Sequence, residues 1–206
     1  MRCKLEIFKT HNPSIESPTL AGHNEALLIS DRQALIVTQK INLDTVKQEY
    51  QSLREKMHSV QMATIGADNL PEASYAPFIW YDEACYLFLS QLARHTQNLN
   101  ANPAISLLII EAEADTRNQF ARRRIIWQGL SENIDRETTL FKHVMQVFRN
   151  RFGDFMDIIE PLQDFQLFQV KPESGRFIRG FAQAFQLSGK GLNQITHINP
   201  DGSKLS

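Results

Sequence analysis

Cysteine is scarce: the 206 residues contain only Cys3 and Cys85. That count and spacing provide neither a disulfide framework nor a thiolate metal site. Cys85 sits in an apolar strand pattern, which predicts a buried thiol. Long apolar runs are missing too, and the longest are too short to span a bilayer. Met-Arg-Cys-Lys is followed by mixed polar residues rather than by the apolar stretch of a signal peptide. The default expectation is a cytoplasmic protein with no membrane partner. Neither sign of charge is in excess, with 22 basic residues against 23 acidic and a net charge of -1. This balance gives no support to a nucleic-acid partner and leaves room only for a local basic patch. The sequence has no HExxH, P-loop, nucleophile-elbow or Rossmann glycine pattern, no internal repeat and no low-complexity segment.

What is present fits one domain, or one domain with a modest extension, long enough to bury a core without staples. Residues 1–41 read as an N-terminal extension with strand fragments broken by Pro13, Pro18 and Gly22. Leu43, Val46, Tyr50, Leu53 and Met57 recur at intervals of three and four, which predicts a helix near 43–57 capped by Asn42 or Asp44. Residues 60–65, 72–80 and 85–90 then read as three short strands joined by local turns, the pattern of an antiparallel barrel or meander. A short helix over 92–101 ends at Asn102-Pro103. Residues 105–110 and 120–127 read as strands flanking a polar loop. Leu140, Phe141, Val144, Met145, Phe148 and Phe152 place a second long helix over 136–152. Residues 165–170 and 176–187 read as a closing hairpin around a polar turn at 171–175. A barrel domain over 42–192 would leave 193–206 as a tail, mobile without a ligand.

Three constellations carry candidate chemistry. Arg94 and His95 open the short helix, where spare backbone donors favour a phosphate or carboxylate; ordinary capping suits them equally. Arg122-Arg123-Arg124 falls in a strand pattern, so alternation sends Arg122 and Arg124 to one face. Paired guanidiniums there suit propionates or phosphate, and surface salt bridges suit them as well. In the stretch 176–185, Phe177, Phe181 and Phe185 share a predicted face with Arg179 and Gln183. That pattern fits core architecture more readily than a cofactor box. Asp164 is placed to orient a histidine, take a proton or cap a turn. His197, the only histidine of the tail, is a candidate iron ligand or a solvent-exposed imidazole.

Several uncommon blocks occur in one order: Ser74-Tyr75-Ala76-Pro77-Phe78, Ala93-Arg94-His95, Asn98-Leu99, Phe120-Ala121-Arg122-Arg123-Arg124, Arg151-Phe152-Gly153, Leu162-Gln163-Asp164-Phe165 and Gly180-Phe181-Ala182-Gln183-Ala184. Together they resemble the HutZ/HugZ haem-utilisation family over residues 45–192. The resemblance implies a mainly β protein with helices, the split β-barrel of pyridoxamine-phosphate-oxidase-like proteins. It also implies a homodimer with haem near the subunit interface, and oxidative opening of the porphyrin with an external electron donor. Asp164 matches the family's acidic residue beside the proximal haem environment, and Arg124 matches a basic position near the haem. The family's axial histidine lies in the C-terminal tail, and its register here falls near Ser203 rather than His197.

The working expectation joins these readings. His197 binds iron, Asp164 tunes it, and Arg124 with Arg94 neutralises propionates; His95 and Arg179 belong to the same cofactor-binding set. Three other classes compete: haem storage or transport without turnover, an FMN-dependent oxidoreductase, and a non-catalytic interaction protein on a degenerated barrel.

Overall fold

The computed structural model describes residues 41–181 and 183–198. Expectations for residues 1–40 and for Ser203 lie outside them. Every described helix and strand belongs to the unit that begins at Asn42. In chain order these are α1 (Leu43–Lys56), β1 (Ser59–Ile65), β2 (Pro71–Tyr81), β3 (Ala84–Ser90), α2 (Arg94–Ala101) and β4 (Ala104–Ile110). They continue with β5 (Arg124–Ile134), α3 (Thr139–Phe152), α4 (Phe155–Ile159), β6 (Phe165–Gly180), β7 (Gln183–Ser188) and β8 (Gln194–Ile198).

All strand pairs are antiparallel, in the order β3-β2-β1-β4-β5-β6-β7-β8. A further pairing of β3 with β6 closes the first six strands into a barrel, and β7 and β8 extend the sheet beyond it. This is the split-barrel architecture that the sequence predicts.

Local chemistry explains the elements. Asn42 Oδ1 accepts from the backbone N–H groups of Asp44 (2.9 Å) and Thr45 (3.2 Å), starting α1. Thr138 Oγ1 accepts from Phe141 N–H in the same way for α3, and Gly153 ends that helix at φ 70°. The tight turn between β2 and β3 takes positive φ at both Asp82 and Glu83.

Alternation in β4 buries Ile105, Leu107 and Ile109, and in β5 it buries Ile125 and Trp127. β3 is buried on both faces because α3 and α4 cover its outer side. Phe141, Val144, Met145, Phe148 and Met156 pack there against Ile79, Tyr86, Phe88 and Leu167. Each of the large side chains in that layer contributes about 1.5–3 kcal/mol.

The structure corrects three expectations. Residues 171–175 form no turn: β6 runs through them, and the chain reverses between Gly180 and Gln183 instead. Pro172 is accommodated at a register shift opposite Gly129. The strand expected at 120–127 begins only at Arg124, and residues 119–121 form a 3-10 turn. Tail residues 194–198 form β8, paired along β7.

Candidate functional site

α2 begins straight after β3, so Arg94 and His95 lie beside the barrel rim. Arg94 Nε is 3.1 Å from Glu72 Oε2, and Asn98 Nδ2 donates to the same oxygen at 3.2 Å and to Thr64 Oγ1 at 3.0 Å. Glu72 thus already engages the guanidinium expected to meet a propionate. Burial lowers the pKa of His95, and the nearby Glu72 carboxylate opposes that shift.

Asp164 sits just before β6. Its Oδ2 accepts from Ser90 Oγ at 2.7 Å, and its carbonyl accepts from Gln91 N–H at 2.7 Å. Ser90 Oγ in turn accepts from Leu92 N–H, and the Ser90 carbonyl accepts from Thr96 Oγ1. The carboxylate therefore ties the start of β6 to the end of β3 and the entry to α2. No histidine is hydrogen-bonded to it among the described residues.

The remaining candidates gather at the other end of β6. Arg124 pairs with Ile178 in the ladder, and its Nη1 donates to the Arg122 carbonyl at 3.0 Å. No ion pair to Arg124 is found among the described residues. Its two neighbours are engaged. Arg122 donates to the Glu111 carbonyl and lies 3.1 Å from Glu113, while Arg123 forks onto the buried Glu111 carboxylate. The hydrogen bond from Arg123, helped by its charge, holds the Glu111 carboxyl below the usual range. Arg122 and Arg124 therefore do not form the pair expected from an uninterrupted strand.

Arg179 reaches the opposite side. Its Nε and Nη2 form a fork with Glu49 of α1 at 2.6 and 2.8 Å, which clamps the helix to β6.

His197 occupies β8 opposite Phe185, which faces Phe177, which faces Ile125. Directly opposed residues share a sheet face. The His197 ring lies 5.1 Å from the Phe185 ring, and Phe185, Phe177 and Ile125 are all fully buried. Tyr50 of α1 packs on Phe177, so this is the helix-covered face. Both His197 ring nitrogens are buried without a hydrogen-bond partner among the described residues.

The other face carries Arg124. In register with it run Ile110, Ile178, Ala184 and Ile198. The adjoining row is Leu108, Ile126, Arg176, Gln186 and Thr196. A concavity of about 300 Å³ on this face is lined by Ile126, Ser174, Arg176, Gln186 and Ile198 among others. A second, of about 440 Å³, adjoins it through Gln128 and Ser174. The result is a broad surface on which aliphatic side chains alternate with Arg124, Arg176, Gln186 and Thr196, the first concavity being the more polar and the second the more apolar. The sequence reading took Arg176 only as the first residue of the 176–185 stretch and singled out neither Ile126 nor Ile198. Alternation along β5 places Ile126 on the face of Arg124.

No group of three or more histidine, cysteine or acidic side chains is placed to hold a metal ion among the described residues. No described helix is long and apolar enough to cross a membrane.

The pyridoxamine 5'-phosphate oxidase family model matches residues 46–179. The chain is 36% identical over 158 residues to a Vibrio cholerae protein named heme oxygenase HutZ, spanning 77% of this chain and 90% of that protein. A crystal structure of Vibrio cholerae HutZ, described there as a heme storage protein, superposes with a TM-score of 0.61 at 34% identity, covering 65% of this chain and 93% of that one. The crystal structure of Campylobacter jejuni ChuZ superposes with a TM-score of 0.73 at 22% identity, covering 91% of this chain and 75% of that one.

Proposed function

The chain belongs to the pyridoxamine 5'-phosphate oxidase family and, within it, to the HutZ/HugZ haem-utilisation group, and from that premise we propose that it binds haem on the outer face of β4–β8 and opens the porphyrin to release iron. The observation that carries this reading is the placement of Arg124. The guanidinium that matches the family's basic position stands on a wide aliphatic face, with no competing ion pair among the described residues.

Arg124 holds a propionate, and Leu108, Ile110, Ile126 and Ile198 offer the macrocycle an apolar bed that displaces water. Bound haem supplies the oxygen and redox chemistry, with electrons from an external donor. Arg179 keeps α1 in place from the far side of the sheet, and Asp164 holds the α2 entry through Ser90.

The same surface supports a homodimer. Its half-exposed aliphatic rows extend over several strands, as expected of a face that meets a second copy. Asp164 and Arg124 lie at opposite ends of the 16-residue β6. A haem that uses both residues is shared between two copies.

The test is an anaerobic titration of the full chain with ferric haem, followed by reductant and oxygen in the presence of catalase. Stoichiometric binding, then loss of the Soret band with a biliverdin-like product, supports the reading. Stoichiometric binding without product supports storage, the second reading raised by the description of the HutZ crystal structure. Failure to bind haem overturns both.

A further inference from the structure

The Arg151-Phe152-Gly153 block takes no part in the proposed haem face. Phe152 is the last residue of α3, and the chain turns at Gly153, at φ 70°, into the five-residue α4. Under α4 lies a cavity of about 140 Å³. Its walls are Phe148 and Phe152 of α3, Phe88 of β3, Pro77 of β2, and Met156 and Ile159 of α4, with Phe155 at the exposed side. Every one of these side chains is apolar, and the Met156 sulfur is their only heteroatom. The Phe148 ring lies 5.9 Å from that of Phe152 and 6.4 Å from that of Phe88, so three packed rings form one wall. Polar pins keep the roof from settling into the space. Arg149 of α3 reaches Asp157 at 2.8 Å and Glu160 at 2.6 Å. Arg136 donates to the carbonyls of Glu160 at 2.8 Å, Leu162 at 2.6 Å and Phe165 at 2.8 Å. These bonds hold α4 at a set height and leave the cavity preformed.

We infer that this cavity is a binding site for a small, uncharged aromatic molecule of a single ring. Protein interiors hold few voids larger than a water molecule, because unfilled space forfeits contacts. Water is a poor occupant here, since it needs polar partners that these side chains lack; apolar cavities of about 150 Å³ stay dry and take benzene or xenon. A charged or hydrogen-bonding ligand would lose its hydration without replacement, and a porphyrin is too large for the space. A single aromatic ring instead meets the phenylalanine rings and the Met156 sulfur, both favourable contacts. The cavity lies over β2 and β3, away from the β4–β8 face, so the site does not depend on haem binding.

The experiment labels the methionine methyl groups of the full chain with carbon-13 and follows them by NMR during titration with benzene and, separately, with phenol. Met156→Leu assigns the Met156 signal. Benzene is expected to shift that signal saturably, with half-saturation at or below about 1 mM. Met62 of β1, which lines no part of the cavity, is expected to stay unmoved. Phenol, whose hydroxyl finds no partner there, is expected to bind at least tenfold more weakly. Ile159→Phe, which sets a ring into the cavity, is expected to weaken benzene binding at least tenfold, with circular dichroism confirming the fold. The inference is overturned if Met156 does not respond, if it moves in parallel with Met62 without saturating, or if phenol binds as tightly as benzene. These outcomes need only the wild-type chain and stand even if Ile159→Phe does not fold. The inference is also overturned if folded Ile159→Phe binds benzene within twofold of wild type. A Met156 signal that shifts on dilution of the protein alone, with sedimentation velocity showing dissociation, would put a second copy over the cavity and likewise overturn it.

Discussion

Arg124 and His197 project from opposite faces of one antiparallel sheet. Arg124 is in register with Ile178, Ala184 and Ile198, whereas His197 is in register with Ile125, Phe177 and Phe185. A haem held by Arg124 is thus out of reach of the His197 imidazole in the same chain, and that imidazole is buried beside Phe185. His197→Ala should leave the Soret maximum of the haem complex unchanged and the affinity within about twofold. A shifted Soret band would place His197 on the iron and contradict the face assignment.

The Glu111–Arg123 pair makes stability sensitive to acid. Folding lowers the Glu111 pKa, chiefly through the hydrogen bond from Arg123. A carboxylate with a depressed folded-state pKa adds stability that is fully present above its unfolded value, about 4.3, and is lost as pH falls through the folded value. His95, lowered by burial, acts in the same direction from about pH 6.5 downward. Urea unfolding across pH 3–7 should show stability falling toward acid, and Glu111→Gln should flatten the part below pH 5. An unchanged slope there would remove Glu111 from the explanation.

The fork between Arg179 and Glu49 joins α1 to β6 and is half-buried. Cutting it by Glu49→Gln or Arg179→Gln should cost about 1–2 kcal/mol of stability, with the double variant costing less than the sum. Denaturant titration of the three variants measures that coupling. Additive losses would show that the two side chains act independently.

Two glycines should respond in opposite ways. A Cβ at Gly129 would lie 2.5 Å from the Lys171 carbonyl oxygen and 3.2 Å from Pro172 Cα, both backbone atoms at the register shift. At Gly180 nothing lies within 4 Å. Gly129→Ala should destabilise by about 2 kcal/mol or more, and Gly180→Ala by less than about 0.5 kcal/mol. Thermal unfolding distinguishes them, and equal midpoints would show that the bulge relaxes freely.

Much of the barrel was legible because its signals are local. Asn42, the spacing from Val46 to Leu53, the Asp82-Glu83 turn and the Phe141-to-Phe148 stripe each act within a few residues. β6 was misread because Pro172 and Gly175 look like turn residues. Pro172 instead occupies the shift opposite Gly129, and Gly175 is required by contact, since a Cβ there would meet Leu192 and Trp127 side chains at 2.9 and 3.0 Å. Both are tertiary facts. The sequence names Arg124 and Asp164 as candidates, and the structure sets them at opposite ends of β6. Which face His197 occupies depends on β8 joining the sheet, which is not visible in local periodicity.

The central claim is that haem lies on the outer face of the sheet, at Arg124 and over Ile126. The most direct measurement is the Soret-band titration of wild type, Arg124→Ala and Ile126→Glu, with circular dichroism confirming that each variant is folded. The account predicts that each substitution weakens haem binding at least tenfold, because one removes the cation and the other sets a carboxylate in the apolar bed. Wild-type affinity in both folded variants would contradict it and move the haem elsewhere.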